Sequence, residues 1–214
     1  MDKGEILRYM GANPTVEVLD EFIARAEELV LAAARPQWTS REFPLRVEGG
    51  TVTVAGTALH SKSLADHLDG CESVFLFALT LGPEVDRVIR RAGVTDVPLL
   101  PVLQATAAAY TEEQADRAQE ELEREAARRG LYLRPRFSPG YGDLSLETQR
   151  FLFDALEVSK RTGITLTDSC MMVPSKSVSA FIGLSKDPSL CHVGRCMICE
   201  RKDCPFRKED DHGA

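Results

Sequence analysis

The stretch SVFLFALTLG, residues 73–82, is almost continuously apolar. A strand with one face in water alternates apolar and polar side chains, so this stretch predicts a strand that is buried on both faces. Gly82 ends the strand, and Pro83 suits the first position of the helix that follows, PEVDRVIRRAG. The other elements are therefore expected to assemble around a central strand at residues 73–82.

The sequence on both sides of this strand mixes helices with strands. On the N-terminal side, Gly49-Gly50 separates PQWTSREFPLRVEG from TVTVAG, which indicates a β-hairpin, and the apolar spacing from Val16 to Ala33 indicates an amphipathic helix. On the C-terminal side we predict a helix at 98–129, a strand in LYLRPRF, a helix after Ser145, and two strands in ITLTDSCMMVP and SVSAFIGL. Because strands and helices do not alternate strictly, we expect an α+β fold with a mainly antiparallel twisted sheet, flanking helices and an N-terminal helical segment.

The pattern divides the 214 residues into three parts. We predict an N-terminal helical segment at 1–35, an α+β body at 36–187 and a cysteine-rich tail at 188–214. Regular periodicity stops after Asp187, where the tail begins.

Charge and hydropathy narrow the classes of function. Acidic residues outnumber basic residues 33 to 26, which gives a net charge of −7 and argues against a nucleic-acid binder. No apolar run approaches the roughly 20 residues of a membrane-spanning helix. The N-terminus lacks the apolar stretch of a secretory signal, so we expect a cytoplasmic protein.

The segment RPRFSPGYGD, residues 134–143, is the most informative part of the body. Pro139 and Gly140 indicate a tight turn in which backbone amides approach a ligand closely. The planar guanidinium of Arg136 suits a carboxylate, and Tyr141 offers an aromatic face and a hydroxyl. The alternative is an ordinary structured turn whose arginine pairs with a neighbouring acid.

This loop and the sequence after it resemble the activation (reactivation) domain of cobalamin-dependent methionine synthase. That family has an R-x-x-P-G-Y loop, a helix, and two ordered sets of residues after the helix. The chain carries Arg136, Pro139, Gly140 and Tyr141, then Leu156, Glu157, Lys160, Thr162 and Gly163, then Leu166, Thr167, Asp168 and Ser169, and finally Met172, Pro174, Ser177, Val178 and Ser179. As a whole it is most similar to free-standing, single-domain members of the family.

The resemblance implies a binding site for S-adenosylmethionine. Arg136 is expected to hold the methionine carboxylate, and Ser138, Pro139, Gly140 and Tyr141 to shape the pocket. We expect three further residues to support the residues that contact the ligand without contacting it themselves: Asp168, Ser169 and Lys176. The family also implies an acid from the long helix, for which Glu112 and Glu113 are the candidates. No residue of the chain is expected to act as a catalytic acid or base.

The resemblance also implies a role beside a partner. Such a domain supports reductive remethylation of Co(II) cobalamin, which is held by a methionine synthase or a related corrinoid protein. The electron comes from a donor such as flavodoxin or ferredoxin, so the chain is expected to contribute to methyltransferase activity as a subunit. The alternative is a non-catalytic module that docks on a corrinoid protein and has a structural zinc tail.

The tail places four cysteines within 14 residues: Cys191, Cys196, Cys199 and Cys204. Four closely spaced thiolates in a reducing compartment indicate a metal centre, and both zinc and a [4Fe–4S] cluster accept such a set. The need for an electron favours the iron–sulfur cluster, and unligated redox thiols are the remaining alternative. Cys71 and Cys170 stand alone in apolar sequence and are expected in the core.

Overall fold

The computed structural model describes residues 1–11 and 19–189. The helices are α1 Lys3–Met10, α2 Leu19–Ala33, α3 Lys62–Leu68, α4 Pro83–Thr95, α5 Leu99–Ala127, α6 Thr148–Leu156 and α7 Val158–Thr162. The strands are β1 Gln37–Glu48, β2 Thr51–Val54, β3 Thr57–His60, β4 Ser73–Thr80, β5 Tyr132–Leu133, β6 Thr165–Leu166, β7 Met172–Val173 and β8 Ser177–Ser185.

Six of these strands form one antiparallel sheet in the order β3-β2-β1-β4-β8-β5. Strand β4 lies inside the sheet and every one of its residues is buried, as its apolar sequence predicts. Long strand β1 changes neighbours along its length, because residues 37–44 pair with β4 and residues 45–48 pair with β2. The predicted α+β fold with a mainly antiparallel sheet is confirmed.

Helices cover both faces of the sheet. Alternate residues of β4 point to opposite sides, so Leu76 packs toward α3, α6 and α7, while Phe77 packs toward the second half of α5. Helix α5 supplies Ala118 and Leu122 to that second face. The small alanine lets the helix approach the sheet closely, so groups on α5 lie within reach of side chains from the strands.

The N-terminal helices share a core with the rest of the chain. Helices α1 and α2 bury Ile6, Ile23 and Val30 against α4 and the first half of α5. Helix α5 therefore belongs to two cores, with Leu103 in the helical cluster and Leu122 against the sheet. Its 29 residues extend for about 43 Å and connect the two.

Two predicted elements differ from the structure. The single helix predicted after Ser145 is two helices, because Glu157 adopts a left-handed conformation with φ 52° between α6 and α7. The predicted strand ITLTDSCMMVP is a small hairpin of β6 and β7, in a sheet of its own. A further strand, β3, follows the predicted hairpin. The start of the predicted helix before Leu19 and the four cysteines of the tail lie outside the described residues.

Candidate functional site

The chain after β5 continues along β8 as an irregular edge. The amide of Arg134 donates to the carbonyl of Gly183 over 2.8 Å, and Phe137 exchanges two backbone hydrogen bonds with Phe181, of 2.9 and 2.8 Å. Phe137 packs on the α3 side of the sheet. Because adjacent residues of an extended chain point to opposite sides, Arg136 faces α5.

Arg136 is buried against a polar stripe of α5. Its side chain is 2% exposed, and its Nη1 donates to Gln119 Oε1 over 2.8 Å. Its Nη2 donates to Glu112 Oε2 over 3.1 Å and to Asp116 Oδ1. The three helix residues are spaced four and three apart, which places them in one row on the helix.

The Nε atom of Arg136 is buried and has no hydrogen-bond partner among residues 1–11 and 19–189. A buried donor without an acceptor costs free energy, so such an atom marks a position where an acceptor binds. Arg136 thus pairs with acids, as the structured-turn alternative requires, and keeps one donor for a further group. Of the two acids that the family resemblance suggested, Glu112 contacts Arg136, whereas Glu113 lies 3.8 Å from the N-terminal ammonium of Met1 and accepts from Arg117.

The loop after Arg136 is a compact turn. The Gly140 amide donates to the Leu144 carbonyl over 2.8 Å, and the Tyr141 amide donates to the Ser138 carbonyl over 3.0 Å. Pro139 is buried beneath the turn, whereas Gly140 is exposed and has φ 92°. Tyr141 is 46% exposed, and its ring meets Phe137 edge-on at 5.9 Å. The tip of the loop is therefore open to a ligand or a partner, although Arg136 is buried.

Asp143 anchors this loop, a role that the sequence did not reveal. Its carboxylate accepts from Ser61 Oγ and from the amides of Lys62 and Ser63, over 2.8 and 3.0 Å for the two amides. The hydrogen bond from Ser61 and those from the two amides lower the pKa of Asp143 well below its usual range. Asp143 thus caps α3 from a distant part of the chain, and its only sequence signal is the turn before it.

Asp168 and Ser169 lie at the tip of the β6–β7 hairpin. The Asp168 carbonyl accepts from Arg150 of α6 over 2.7 Å, and Ser169 Oγ lies 3.0 Å from Thr167 Oγ1. The hairpin packs through Leu166 and Met172 on the sheet face opposite α5. These two residues therefore stand on the other side of the sheet from the Arg136 guanidinium.

Lys176 lies near the first half of α5. Its Nζ donates to the Gln104 carbonyl over 3.2 Å. Burial lowers the pKa of Lys176, and the charge of Asp86 opposes that shift in part. Gln104 precedes Glu112 by eight residues, or about 12 Å along the helix. Lys176 thus borders the same helix as Arg136 but at a different level.

The end of α1 borders the acidic row of α5. Burial, and after it the negative charge of Glu112, raise the pKa of the Tyr9 phenol. The Arg8 guanidinium stacks 4.3 Å from the centre of the Tyr9 ring and pairs with Glu5. Asp116, Gln119 and Tyr9 are site residues that sequence reasoning missed. The sequence contained a signal for Asp116 and Gln119, because they follow Glu112 at the helical spacing of four and then three residues.

Two clefts lie away from this loop. One of about 560 Å³ separates Trp38 from Glu121, Arg124 and neighbouring residues of α5. The other, of about 400 Å³, is lined by Glu42, Arg129 and nearby residues. Trp38, at the start of β1, is 36% exposed, and its ring lies 6.1 Å from that of the buried Phe77.

Within residues 1–11 and 19–189, no three His, Cys, Asp or Glu side chains come together as metal ligands. Cys170 is buried, and Cys71 packs against the core, as their apolar surroundings predict. Cys191, Cys196, Cys199 and Cys204 are outside the described residues. Of the helices in the described part of the chain, none is both long enough and apolar enough to cross a bilayer.

Comparisons with known proteins identify a family that matches part of the chain and a solved structure with a similar fold. Residues 105–209 match the family described as vitamin B12 dependent methionine synthase, activation domain. The match begins within α5 and includes the Arg136 loop and the four cysteines of the tail. Among solved structures, the fold is similar to a crystal structure of the MetH reactivation domain bound to AdoHcy, with 18% sequence identity and a TM-score of 0.64. The similarity covers 91% of this chain and 71% of that one. No curated protein sequence matches the chain.

Proposed function

Residues 105–209 belong to the activation-domain family of vitamin B12-dependent methionine synthase, and from that premise we propose that the chain binds S-adenosylmethionine at Arg136 and supports remethylation of cobalamin held by a partner. The partner is a cobalamin-dependent methionine synthase or a related corrinoid methyltransferase. S-adenosylmethionine supplies the methyl group, and a donor such as flavodoxin or ferredoxin supplies the electron. The chain itself binds and positions the methyl donor, so it needs no catalytic acid or base.

One observation carries the proposal: the guanidinium of Arg136 is almost wholly buried and held by two carboxylates, and its Nε donor has no partner in the part of the chain that the structure describes. The methionine end of the ligand has both signs of charge, since its carboxylate suits Arg136 and its ammonium suits Glu112 or Asp116. A similar fold binds AdoHcy in the MetH reactivation domain, which supports the assignment.

The other proposed site residues assist in different ways. Ser138, Pro139 and Gly140 set the turn, and Tyr141 presents its exposed ring to the ligand or to the corrin edge. Lys176 holds α5 through the Gln104 carbonyl and thereby keeps the acidic row in place. Asp168 and Ser169 stiffen the hairpin that α6 grips through Arg150.

Calorimetry with S-adenosylmethionine tests the binding site. Arg136→Lys keeps the charge but removes the fork and the Nε donor, so we expect affinity to fall about 10- to 100-fold. Arg46→Lys is the matched control, because Arg46 is exposed and pairs with Glu48 at the end of β1, away from the proposed site residues. Equal affinities for both variants and the wild type would refute the role of Arg136.

A reactivation assay tests the partner role. The chain is mixed with a methionine synthase that lacks its own activation domain, a reductant and S-adenosylmethionine. We expect the visible spectrum of Co(II) cobalamin to convert to that of methylcobalamin, and Arg136→Lys to slow the conversion. No conversion with the wild-type chain, beside a positive control with the intact synthase, would contradict the proposal.

The second candidate is a docking module that does not bind the methyl donor. One observation favours it, because both Nη atoms of Arg136 already have partners in α5. In that case the calorimeter shows no heat with S-adenosylmethionine, although the chain still binds the corrinoid protein.

For the tail we propose that Cys191, Cys196, Cys199 and Cys204 hold a metal centre. Thiolates at these spacings suit either an iron–sulfur cluster or zinc. A brown preparation that bleaches on reduction indicates the cluster, which then relays the electron. A colourless preparation with one equivalent of zinc indicates a structural site. A metal-free chain whose thiols all react with a thiol reagent would exclude both.

A further inference from the structure

A second arginine beside the loop, Arg134, is buried and has donors without an acceptor. Its residue is 3% exposed, and its amide donates to the Gly183 carbonyl on β8. Its Nη2 donates to the Asp69 carbonyl over 3.1 Å, whereas its Nε and Nη1 atoms have no hydrogen-bond partner within residues 1–11 and 19–189. Buried donors without acceptors cost free energy, so these two atoms mark a position where a further acceptor binds.

The Arg134 side chain lies on the opposite side of the sheet from the Arg136 guanidinium. Its Cγ lies 3.1 Å from the position that a Cβ on Gly183 would occupy, and Cys71 Sγ and Leu68 Cδ2 lie 2.6 and 2.8 Å from the same position. Leu68 belongs to the core on the α3 side, whereas Arg136 contacts α5. The acceptor for Arg134 is therefore separate from the ligand proposed for Arg136.

The described residues end at Ser189, close to Arg134. The carboxylate of Asp187 accepts from the amide and the hydroxyl of Ser189, over 2.8 Å each. These two hydrogen bonds lower the pKa of Asp187, and the positive charge of Arg134 lowers it further, so the two residues are near neighbours. Cys191 follows Ser189 by two residues, which span at most about 7 Å of extended chain. The first of the four tail cysteines therefore lies within reach of this region.

We propose that Arg134 is the docking site for the cysteine-rich tail of its own chain, and that its Nε and Nη1 atoms donate to thiolate sulfurs of the metal centre there. The inference rests on the metal centre proposed for the four cysteines. Four thiolates around Zn²⁺ leave two negative charges, and so do four thiolates around an oxidised [4Fe–4S] cluster. A guanidinium supplies donors to such sulfurs and offsets part of their charge.

The composition of the tail favours a counter-charge from outside it. Residues 188–214 contain five Lys and Arg and five Asp and Glu, so the charged side chains of the tail balance one another. The negative charge of the metal centre is then in excess. Arg134 complements it with a buried positive charge and two donors, at the point where the tail joins the body.

Zinc binding by the full chain, measured in competition with a chromogenic chelator, tests the docking site. Arg134→Met removes the charge and the donors but keeps an apolar stem, so we expect zinc affinity to fall about tenfold. Arg134→Lys keeps the charge but loses Nε and the planar fork, so we expect a smaller loss. In a preparation with an iron–sulfur cluster, Arg134→Met should make the reduction potential more negative, because a positive charge near the added electron is lost.

Lys186→Gln is the matched control, because it also removes a positive charge near the start of the tail. Lys186 is 72% exposed and pairs with Glu72, so water screens its charge. We expect this variant to bind zinc as the wild type does. Equal losses of affinity in Lys186→Gln and Arg134→Met would indicate a general attraction between charges and would overturn the specific role of Arg134.

Trypsin digestion tests docking separately from metal binding. The five Lys and Arg residues of the tail are cleavage sites. At saturating zinc, we expect the tail of Arg134→Met to be cleaved faster than that of the wild type, because a tail held against the body is less accessible. Since both proteins then hold zinc, a difference in rate reports on docking.

The outcomes separate this inference from the other proposals. Wild-type zinc affinity and cleavage rate in Arg134→Met, with unchanged circular dichroism, would show that Arg134 does not contact the tail, and the metal centre would stand. If Arg134→Met does not fold, Arg134→Lys decides, and wild-type behaviour in that variant overturns the inference. A wild-type chain that holds neither zinc nor a cluster overturns both the metal centre and the docking site. Affinity for S-adenosylmethionine should be the same in Arg134→Met and the wild type, because the Arg136 site is on the other side of the sheet.

Discussion

Gly142 is the residue of the Arg136 loop that tolerates a side chain least. Its φ is +53°, and a Cβ there would lie 2.4 Å from Ser63 Oγ and 2.6 Å from Ser63 Cβ. We expect Gly142→Ala to destabilise the fold by about 2–4 kcal/mol, because it combines backbone strain with a clash. Unfolding in urea measures the free energy.

Gly130→Ala is the matched control for Gly142→Ala. Gly130 has φ +68°, and a Cβ at this position would meet no atom within 4 Å. This variant should cost only about 1 kcal/mol, the strain of a left-handed alanine. Equal costs at the two glycines would show that Ser63 moves aside without penalty.

The carboxylate of Asp143 makes stability depend on pH. Hydrogen bonds from Ser61, Ser63 and Lys62 lower the pKa of Asp143 in the folded state. A lowered carboxyl pKa stabilises the fold above the unfolded value of about 3.9, and that stabilisation is lost as the pH falls through this range. The stability difference between the wild type and Asp143→Asn should be constant above about pH 5 and shrink toward pH 3. Urea unfolding at several pH values measures it, and a constant difference would contradict the prediction.

Single residues could be predicted where local sequence defines their surroundings. The turn residues and Arg136 follow from the motif itself. Asp116 and Asp143 could not be identified, because their partners depend on how α5 and α3 lie against the loop, 20 and about 80 residues away. Such tertiary register leaves no periodic signal in one sequence.

At the scale of elements, helix propensity failed to predict the break between α6 and α7. The sequence LEVSKRTG has neither proline nor an internal glycine before Gly163, so it reads as one helix. In the structure, Leu156 and Val158 are both buried, and the left-handed Glu157 between them redirects the chain. Burial on both sides of the break outweighs the local preference for a continuous helix.

Glu157 is therefore a site where glycine should be favourable. Glu157→Gly relieves the left-handed strain but loses the carboxylate that pairs with Lys160 and Arg161. Glu157→Ala loses the same pairs and keeps the strain, so it is the proper reference. We expect the glycine variant to be about 1 kcal/mol more stable than the alanine variant in thermal or urea unfolding. An alanine variant that is at least as stable would mean that the strain at this position is negligible.

The small β6–β7 hairpin illustrates a second limit at the same scale. Its sequence has the alternation of a strand, but Thr167 turns the chain after two residues. The Thr167 hydroxyl accepts from the Met171 amide over 3.0 Å, and Cys170 takes a left-handed conformation. The turn itself consists of Asp168 and Ser169, which are typical turn residues, so the sequence did contain a turn signal that the prediction of a single strand overlooked.

For the whole molecule, the fold class was predictable because the central strand is apolar throughout and the hairpin glycines define its neighbours. The division of the chain at residue 35 remains a prediction. In the structure, α1 and α2 share a core with α4 and α5. Helix α5 crosses from this core to the sheet, so damage to one core is transmitted to the other. The chain should therefore unfold as one cooperative unit.

Leu103→Ala tests this coupling. Leu103 is fully buried in the helical cluster, so the variant should lose about 2–5 kcal/mol. Trp38, the one tryptophan of the sequence, reports on the sheet through its fluorescence, and far-UV circular dichroism reports chiefly on the helices. Because α5 joins the cores, we expect both probes to give the same lowered urea midpoint. Leu122→Ala, on the sheet face of the same helix, is the reciprocal control. A Leu103→Ala variant that keeps the wild-type Trp38 midpoint, while its circular dichroism midpoint falls, would show that the N-terminal helices unfold independently of the sheet.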